Sequence, residues 1–542
     1  LEGAEADLGR WAPWEPLPFE AFARHPKAGW HPEAPRSMSD FKKVVDLSLP
    51  GEFWGIEFPH SPAMLEEMGP AWLTKAMHAF GSLPPDNEVA KFLKLDVKGE
   101  DVNKAQSPED NNWGGACVKV LLSVEYKQDA GDLPTEFFIK VPHPFNGKNE
   151  RFKISVTQGG EWSEIMFYNT LAGRLPIKTP RCFFADINRK TTNFCLVIER
   201  IKYGSDKGKK KSDYRPDEIF PAPGKYRDWA VPCIEDYYYG HARCLAQFFA
   251  WHKMIADIWG EDASEQVRAF FMDDGSWGWR KHCLQEIGAI KGAAERDLQF
   301  RRWTEDPATQ PIVSSSGFTP QVADGFLQMM ADFVATAKHV FPADLVEEPF
   351  LEAFMKEAKE MSKYVAELNF YSLIFPEYHT LAHPNAQIDN GFYWQNEEGQ
   401  TQAGLIDLGM AFMPMPVCLA NAWIGAEPEM MDEHEEKLTR LFQEQYEQAG
   451  GFKLDYDNLY MHVKLAHAAV LYGCCANIGM LLRIVGKDEW KGIKDRKDPK
   501  IDNLFLARCY MVQIEMFLAM WRKRSPYKHF QKWLRRTGIK RK

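Results

Sequence analysis

Two short segments, HPNAQIDN at residues 383–390 and GLIDLG at residues 404–409, differ from the helical patterns on either side of them. Both are strand-like, and the turn QNEEGQ between them predicts a β-hairpin. An aspartate at a strand end with a glycine two residues later, as Asp407 is, can present both carboxylate oxygens to a metal ion. Asn390 comes seventeen residues earlier, across the hairpin, so we predict that it supplies a second metal ligand.

Length and composition are typical of a soluble globular protein with a large core. The chain has 542 residues, 45% of them hydrophobic and 26% charged, which allows about two to four domains or lobes. A net charge of −10 argues against a dedicated nucleic-acid-binding protein. The ten cysteines include no CxxC pair, which favours free buried thiols and an intracellular, reducing compartment. We expect no transmembrane segment, because no apolar run of about 18 residues is found.

Both ends of the chain have features whose role the sequence leaves open. The amino-terminal residues LEGAEADLGRW contain no Met, which fits removal of a transit peptide, a trimmed chain or an incomplete sequence. The compartment would then be the cytoplasm or the interior of a mitochondrion or plastid. Residues 521–542 contain ten Lys or Arg and no acid. This segment is either a solvated end or a contact with an anionic partner, namely a membrane, RNA or an acidic protein.

Hydrophobic periodicity divides the chain into a small β-rich lobe and a large helical lobe. Strands are predicted at 118–126, 135–143 and 193–201, and a helix is predicted at 159–175. Helical patterns dominate from about residue 235 onward. We therefore predict an α+β fold with two lobes, a small antiparallel sheet and a mainly helical lobe. The predicted divisions are an amino-terminal extension (1–89), a β-rich lobe (90–201), a charged linker (202–234), a helical lobe (235–525) and a basic tail (526–542).

The spacing of HPNAQIDN resembles the catalytic loop H-x-D-x-x-x-x-N of aminoglycoside phosphotransferases, choline kinases and ecdysteroid-kinase-like proteins, which have a protein-kinase-like fold. His383 and Asn390 match this pattern. GLIDLG resembles the metal-binding segment that follows in the family, with Asp407 as the metal-binding aspartate. Asn385 stands where the family has its catalytic aspartate. The resemblance spans about residues 110–425.

The same resemblance implies a nucleotide site in the small lobe, with ATP and Mg²⁺ as cofactors. The family's phosphate-binding lysine falls in FFIKV, and the helix glutamate that pairs with it falls in EIMFY. WGGACVKV resembles the glycine-containing loop over the phosphates, and the end of LVIERI resembles the hinge that meets adenine. The implied cofactor-binding residues are Lys140, Glu164, Gly114, Gly115, Glu199 and Ile201.

Asn385 is the departure from the family pattern that bears most on function. An amide cannot take the proton of an acceptor hydroxyl at neutral pH, and general-base catalysis contributes roughly 10²–10⁴-fold. Asp389 is not expected to substitute, because adjacent strand residues point to opposite sides. Three explanations stay open: a natural change in a pseudokinase, an engineered change that traps substrate, or an enzyme that still turns over slowly.

Two functions therefore follow from the sequence. The first is a pseudokinase that serves as a binding or scaffold subunit of a larger assembly, with protein partners at its amino-terminal arm and basic tail. The second is an ATP-dependent small-molecule O-phosphotransferase. Packing of the arm on its own chain favours the enzyme, whereas contacts of the arm with foreign chains favour the scaffold. The acceptor substrate is not predicted, and nucleic acid is expected only at the basic tail.

Overall fold

The chain folds into a small sheet-containing lobe and a large helical lobe, so the predicted α+β, two-lobed architecture is confirmed. The two lobes meet at a cleft where Lys140 of the small lobe contacts Asp407 of GLIDLG. The structure is a computed structural model that describes residues 16–24, 33–99, 117–145, 151–152, 155–156, 160–205, 211–271, 277–486, 488–540 and 542.

The small lobe is built on a five-stranded antiparallel sheet with the strand order β1-β2-β3-β5-β4. Its strands are β1 (Val89–Lys98), β2 (Val118–Tyr126), β3 (Glu136–Val141), β4 (Cys182–Asn188) and β5 (Asn193–Glu199). Side chains alternate between the two faces of a strand, and on β2 the buried face holds Val118, Val120 and Leu122, each at most 1% exposed. The opposite face of β2 and β3 includes the residues that line the cleft.

Two short antiparallel strand pairs lie inside the helical lobe. HPNAQIDN is not a strand as predicted but forms the loop and 3₁₀ turn between two of these strands, and GLIDLG begins in a strand and continues beyond it. β6 (His379–Ala382) pairs with β9 (Ala411–Pro414), and β7 (Gly391–Gln395) pairs with β8 (Thr401–Leu405). The second pair is the predicted hairpin around QNEEGQ. It places the two opening segments side by side, because Ile406 N–H donates to Asn390 O at 2.9 Å.

Helices form the rest of both lobes, and none of the described helices combines the length and apolar content needed to cross a bilayer. The helices are α1 (Glu20–Arg24), α2 (Met38–Val44), α3 (Pro62–Phe80), α4 (Gly160–Thr170), α5 (Ile234–Trp259), α6 (Glu261–Phe271), α7 (Trp277–Ala289), α8 (Ala293–Glu305), α9 (Gln310–Ser315), α10 (Pro320–Thr336), α11 (Glu348–Ser362), α12 (Val365–Leu373), α13 (Met415–Trp423), α14 (Pro428–Gln448), α15 (Tyr456–Cys475), α16 (Ile478–Ile484), α17 (Pro499–Asp502), α18 (Phe505–Ala519) and α19 (Pro526–Thr537). The long apolar helix α5 lies against α14 and β8 at the centre of the helical lobe.

The described part of the amino-terminal extension packs on the small lobe. Helix α3 lies against β1 and β4. The main-chain N–H groups of Phe53 and Trp54 both donate to the buried carboxylate of Asp186 on β4, each at 3.0 Å. The indole of Trp54 donates to Asn169 Oδ1 on α4 at 3.2 Å. This stretch of the extension is therefore structurally part of the small lobe.

An earlier stretch of the extension bridges the two lobes. Leu17 N–H donates to the carbonyl of Asn169 at the end of α4, at 2.8 Å. The ring of Phe19 lies 5.5 Å from that of Trp259 at the end of α5, in the helical lobe. Phe22 is 3% exposed and packs on α6. The described part of the arm thus packs on both lobes.

The basic carboxy-terminal segment is packed, so the expectation of a solvated end is wrong for most of its length. Helix α19 lies against α8 and α15, and its Phe530 and Trp533 are both 0% exposed. Arg536 forms an ion pair with the buried Asp297. The physical reason is that the apolar residues of α19 recur at helical spacing, which gives the basic helix one apolar face to bury.

Candidate active site

A buried lysine and a buried glutamate meet where β3 faces α4. Lys140 Nζ donates to both carboxylate oxygens of Glu164, at 2.8 and 2.9 Å. The two side chains are 6% and 10% exposed, so this contact is shielded from water. The predicted ion pair between Lys140 and Glu164 is therefore present. A charge-assisted contact of this kind fixes the direction of the lysine side chain.

Asp407 brings the helical lobe to the same lysine. Its Oδ1 accepts a hydrogen bond from Lys140 Nζ at 2.5 Å, so this contact joins the two lobes. Asp407 has a φ of +58°, which is uncommon for a residue other than glycine, and its side chain is 53% exposed. The next residue secures this conformation, because Leu408 N–H donates to Glu164 at 3.2 Å. A strained and accessible carboxylate in a cleft is typical of a functional position.

His383 orders the loop that contains Asn385. The main-chain N–H of Asn385 donates to His383 Nδ1 at 3.2 Å, so this ring nitrogen is the acceptor. The other nitrogen, Nε2, lies 3.0 Å from the carbonyl of Ile406 and must be the protonated one that donates. Burial lowers the pKa of His383 below its usual value, which agrees with a neutral ring. His383 therefore acts as a structural link between the two opening segments.

Asn385 is exposed, and hydrogen bonds hold its main chain on both sides. Its N–H donates to His383, and its carbonyl accepts a hydrogen bond from Asn390 Nδ2 at 2.7 Å. Neither contact involves the side chain of Asn385. The loop thus presents the residue 385 side chain in a position that does not depend on whether it is an amide or a carboxylate.

Asp389 differs from the sequence-based expectation in its local structure. Residues Ile388–Asn390 form one turn of 3₁₀ helix instead of a strand, so the argument from alternating strand faces is wrong. The carboxylate of Asp389 pairs with Lys225 Nζ at 3.3 Å, and both side chains are mostly buried, at 13% and 14% exposed. This ion pair, and not strand geometry, is what engages Asp389.

The charges in the cleft stabilise one another. Burial by itself would lower the pKa of Lys140, but Asp407 and Glu164 outweigh burial and hold that pKa well above its usual value. Lys140 in turn holds the pKa of Asp407 well below its usual range. Burial raises the pKa of Glu164 against the opposing effect of Lys140. At neutral pH the cleft therefore contains a charged Lys140 and a charged Asp407.

Comparison with solved structures finds matches to small-molecule kinases and phosphotransferases, all with low sequence identity and low TM-scores. No family model and no curated protein matches the chain. A choline kinase from Cryptosporidium parvum is 11% identical with a TM-score of 0.34, covering 81% of this chain and 93% of that chain. The GDP complex of wild-type aminoglycoside 2'-phosphotransferase-IIIa is 13% identical with a TM-score of 0.31, covering 81% and 97%. An ethanolamine kinase from Plasmodium vivax is 8% identical with a TM-score of 0.30, covering 73% and 80%.

Two observations agree with the resemblance drawn from HPNAQIDN and GLIDLG. These are the strand order of the small lobe and the contacts of Lys140 with both lobes. Asn385, Asn390 and Asp407 come from the helical lobe and Lys140 and Glu164 from the small lobe, and the structure brings these positions to one cleft or its edge.

The hinge and glycine-loop predictions both stay predictions. Glu199 ends β5, where its N–H donates to the Arg181 carbonyl at 2.8 Å and its carboxylate pairs with the Arg181 guanidinium at 3.1 Å. Ile201 follows it and is half-buried. Any contact of this segment with a base stays a prediction. Gly114 and Gly115 lie outside the described residues.

Sequence reasoning missed two residues on the cleft side of the sheet. Phe138 lies two residues before Lys140 on β3, so it shares the face of Lys140, and it is half-buried. Lys119 on β2 is the direct cross-strand partner of Lys140 and is 6% exposed. The two-residue alternation of FFIKV could have identified Phe138. Lys119 could be identified only from the strand register, which cannot be read from the sequence.

Proposed function

We propose that this protein is an ATP-dependent phosphotransferase for a small molecule, slowed by the loss of its general base at Asn385. The observation that supports this proposal most is the position of Lys140, whose ammonium contacts Glu164 and Asp407 at the same time. This arrangement leaves a shielded, oriented cation in the cleft where a nucleotide's phosphates would lie. A scaffold without nucleotide would have no need for this arrangement.

The donor set fits a magnesium–nucleotide complex. Mg²⁺ in kinase sites is held by one or two protein ligands together with substrate phosphates. Among the described residues no group of three or more His, Cys, Asp or Glu side chains is placed to hold a metal alone. Asp407 and Asn390 are the residues that would hold the ion, and the ion would neutralise charge on the transferred phosphoryl group. The half-exposed carboxylate of Asp407 is accessible for this role.

The chain's own residues would position the reactants more than they would exchange protons. Lys140 would bind the phosphates, and Phe138 offers a half-buried aromatic surface on the same face of β3 for a base. Asn385 can accept a hydrogen bond from an acceptor hydroxyl and orient it, but its amide cannot take the proton. Phosphoryl transfer depends chiefly on positioning and electrostatics, so such a site retains part of its activity.

A nucleotide-binding scaffold without catalysis is the second candidate, and Asn385 is the observation that favours it. The packing of the arm and of α19 on their own chain supports the enzyme instead, because partner-binding extensions would be expected to leave their apolar side chains available. Phe19, Phe22, Phe530 and Trp533 are all buried within this chain. The proposal therefore takes the phosphotransferase as the better-supported function.

The experiment is a measurement of ATP consumption by the full chain in the presence of mixtures of small alcohols, amino alcohols and sugars. We expect slow turnover that is lost in Lys140→Met and kept in Lys94→Met. Lys94 is the matched control, because its side chain is 71% exposed on β1 of the same sheet. Nucleotide binding with no turnover in either the parent or Asn385→Asp would contradict the enzyme and favour the scaffold.

A further inference from the structure

A short amino-terminal segment, residues 16–24, is attached to the small lobe by hydrogen bonds to its main chain, and we call it the strap. Leu17 N–H donates to the carbonyl of Asn169, near the end of α4, at 2.8 Å. The guanidinium of Arg174 donates to the carbonyls of Pro16 and Leu17, at 3.3 and 3.0 Å. One end of the strap is therefore fixed to the carboxy-terminal end of α4.

The other end of the strap packs on the helical lobe through two aromatic side chains. Phe19 is 8% exposed, and its ring lies 5.5 Å from that of Trp259 at the end of α5. Phe22 is 3% exposed, and its ring lies 5.0 Å from that of Phe270 and 5.6 Å from that of Phe271, both on α6. Aromatic side chains bury large apolar areas, so this attachment needs no ionised group.

The elements that the strap joins carry or adjoin the charged residues of the cleft. Glu164 lies on α4, five residues before Asn169, which is roughly 8 Å along the helix axis. Helix α6 lies against β9, the strand that follows Asp407 in the chain. Because a helix moves as a rigid element, the strap fixes the position of Glu164 relative to the part of the helical lobe beneath Asp407.

The strap joins the lobes without using the groups that would bind a ligand. In the cleft itself the lobes are joined by the contact of Lys140 with Asp407 and by the hydrogen bond from Leu408 N–H to Glu164. In the proposed function Lys140 would bind phosphates and Asp407 would hold the metal ion, so the contact between them would be exchanged for contacts with the ligand. The aromatic contacts of the strap take no part in this exchange.

We propose that the strap holds α4 where Glu164 can orient Lys140 toward phosphate, which makes Phe19 and Phe22 positioning residues of the nucleotide site. This proposal rests on the proposed nucleotide site and names the part of the chain that sets its geometry. The two rings act through the elements they pack on, and not by contact with the nucleotide. Without the strap, a smaller fraction of the chains has Glu164 in place, and the apparent affinity for nucleotide falls by that fraction.

The first test is residue-resolved hydrogen exchange of the Leu408 amide in the full chain without nucleotide. This amide donates to Glu164 at 3.2 Å across the lobe boundary, so its exchange reports how often Glu164 leaves its place. In Phe19→Ala/Phe22→Ala we expect exchange about 3- to 10-fold faster than in the parent, because the lobes separate locally more often. Glu20→Gln is the matched control on the same helix, since Glu20 is exposed, and should exchange as the parent does.

The second test is a calorimetric titration of the same proteins with ATP in Mg²⁺. Phe19→Ala/Phe22→Ala should bind ATP about 3- to 10-fold more weakly than the parent. Phe22→Leu keeps an apolar side chain against α6 and should retain most of the parent's affinity. Trp533→Ala removes a buried aromatic side chain of α19, which packs on α8 and α15. It should lower the unfolding temperature and leave both ATP affinity and Leu408 exchange unchanged.

A double-mutant cycle with Glu164→Gln separates positioning from a purely structural effect. Glutamine keeps the shape of the side chain and can still accept a hydrogen bond from Lys140, but it has no charge. If the strap acts through Glu164, its substitutions should weaken ATP binding little further in the Glu164→Gln background. Losses of affinity that add in full would mean that the strap acts on the site by another route, and would overturn the proposal.

The remaining outcomes distinguish this proposal from the proposed function. If Phe19→Ala/Phe22→Ala keeps the parent's Leu408 exchange and ATP affinity, or if Trp533→Ala changes both as strongly, the proposal is wrong and the nucleotide site stands. If the parent binds no ATP, the proposed function is wrong, and Leu408 exchange alone decides whether the strap positions Glu164. If the double variant does not fold, Phe22→Ala alone is used in the same measurements.

Discussion

Replacement of Asn385 by aspartate should raise phosphoryl transfer more than any other single change in this chain. The substitution returns a general base, which is worth roughly 10²–10⁴-fold, or about 3–5 kcal/mol in the activation free energy. The fold should tolerate it well. Residue 385 is exposed, and its three described hydrogen bonds use its main-chain atoms, so the loop geometry does not depend on the side chain.

The electrostatic surroundings reduce the expected gain toward the lower end of this range. A new carboxylate shares its cleft with Asp407, whose charge repels it, and with Lys140, whose charge attracts it. Lys140 is already engaged by two carboxylates, so it can offset only part of the new charge. We therefore expect an increase of about 10²-fold, the lower bound for a positioned base.

The assay is the initial rate of ATP consumption with a responsive acceptor, for the parent and Asn385→Asp at equal, saturating ATP. Asn385→Ala is the control for loss of the amide and should not exceed the parent. Asn385→Asp combined with Asp407→Asn should be inactive, since it lacks the principal metal ligand. A parent that is as fast as Asn385→Asp would refute the assignment of residue 385 to the base position.

Three further predictions concern stability. The pKa of Asp407 is lowered in the folded protein, so the ionised carboxylate stabilises the fold fully above the unfolded-state pKa of about 3.9, and this stabilisation is lost as the pH falls below that value. The unfolding temperatures of the parent and Asp407→Asn should therefore converge below about pH 4. A constant difference between them down to pH 2 would contradict this prediction. In Gly51→Ala the new Cβ would overlap the carboxylate of Asp186, so chemical denaturation should show a free energy of unfolding lower by about 1–3 kcal/mol. Gly325→Ala, which has open space around its Cβ, is the control and should leave the free energy of unfolding unchanged or raise it. Trp533→Ala on α19 should cost about 3–5 kcal/mol in the same assay, and the exposed Lys532→Ala almost nothing; equal stabilities would mean that α19 is not packed in solution.

The sequence was sufficient for the features that depend on spacing and chain order. The hairpin between the opening segments is local, and strand and helix patterns around Lys140 and Glu164 are regular enough to predict both elements. Their pairing was inferred through the resemblance, because no local rule brings residues 24 positions apart into contact. The same holds for Asp407, which reaches Lys140 across 267 positions.

Features that depend on tertiary contacts were not predictable. The cross-strand pairing of Lys119 with Lys140 exists only in the register of β2 and β3, and a shift of one residue would turn Lys119 to the other face. The 3₁₀ turn at Asp389 was mistaken for a strand because three residues are too few for a periodic signal. The packed state of α19 was partly readable from its apolar spacing, but the high count of basic residues suggested a solvated end.

Calorimetric titration of the full chain with ATP and Mg²⁺ measures whether the cleft binds a nucleotide through Lys140. We expect saturable binding of one nucleotide per chain, weakened in Lys140→Met by at least about tenfold, the lower end for loss of a charged hydrogen bond. Lys94→Met should bind as the parent does. No saturable binding by the parent, or equal affinity of the parent and Lys140→Met, would contradict the claim.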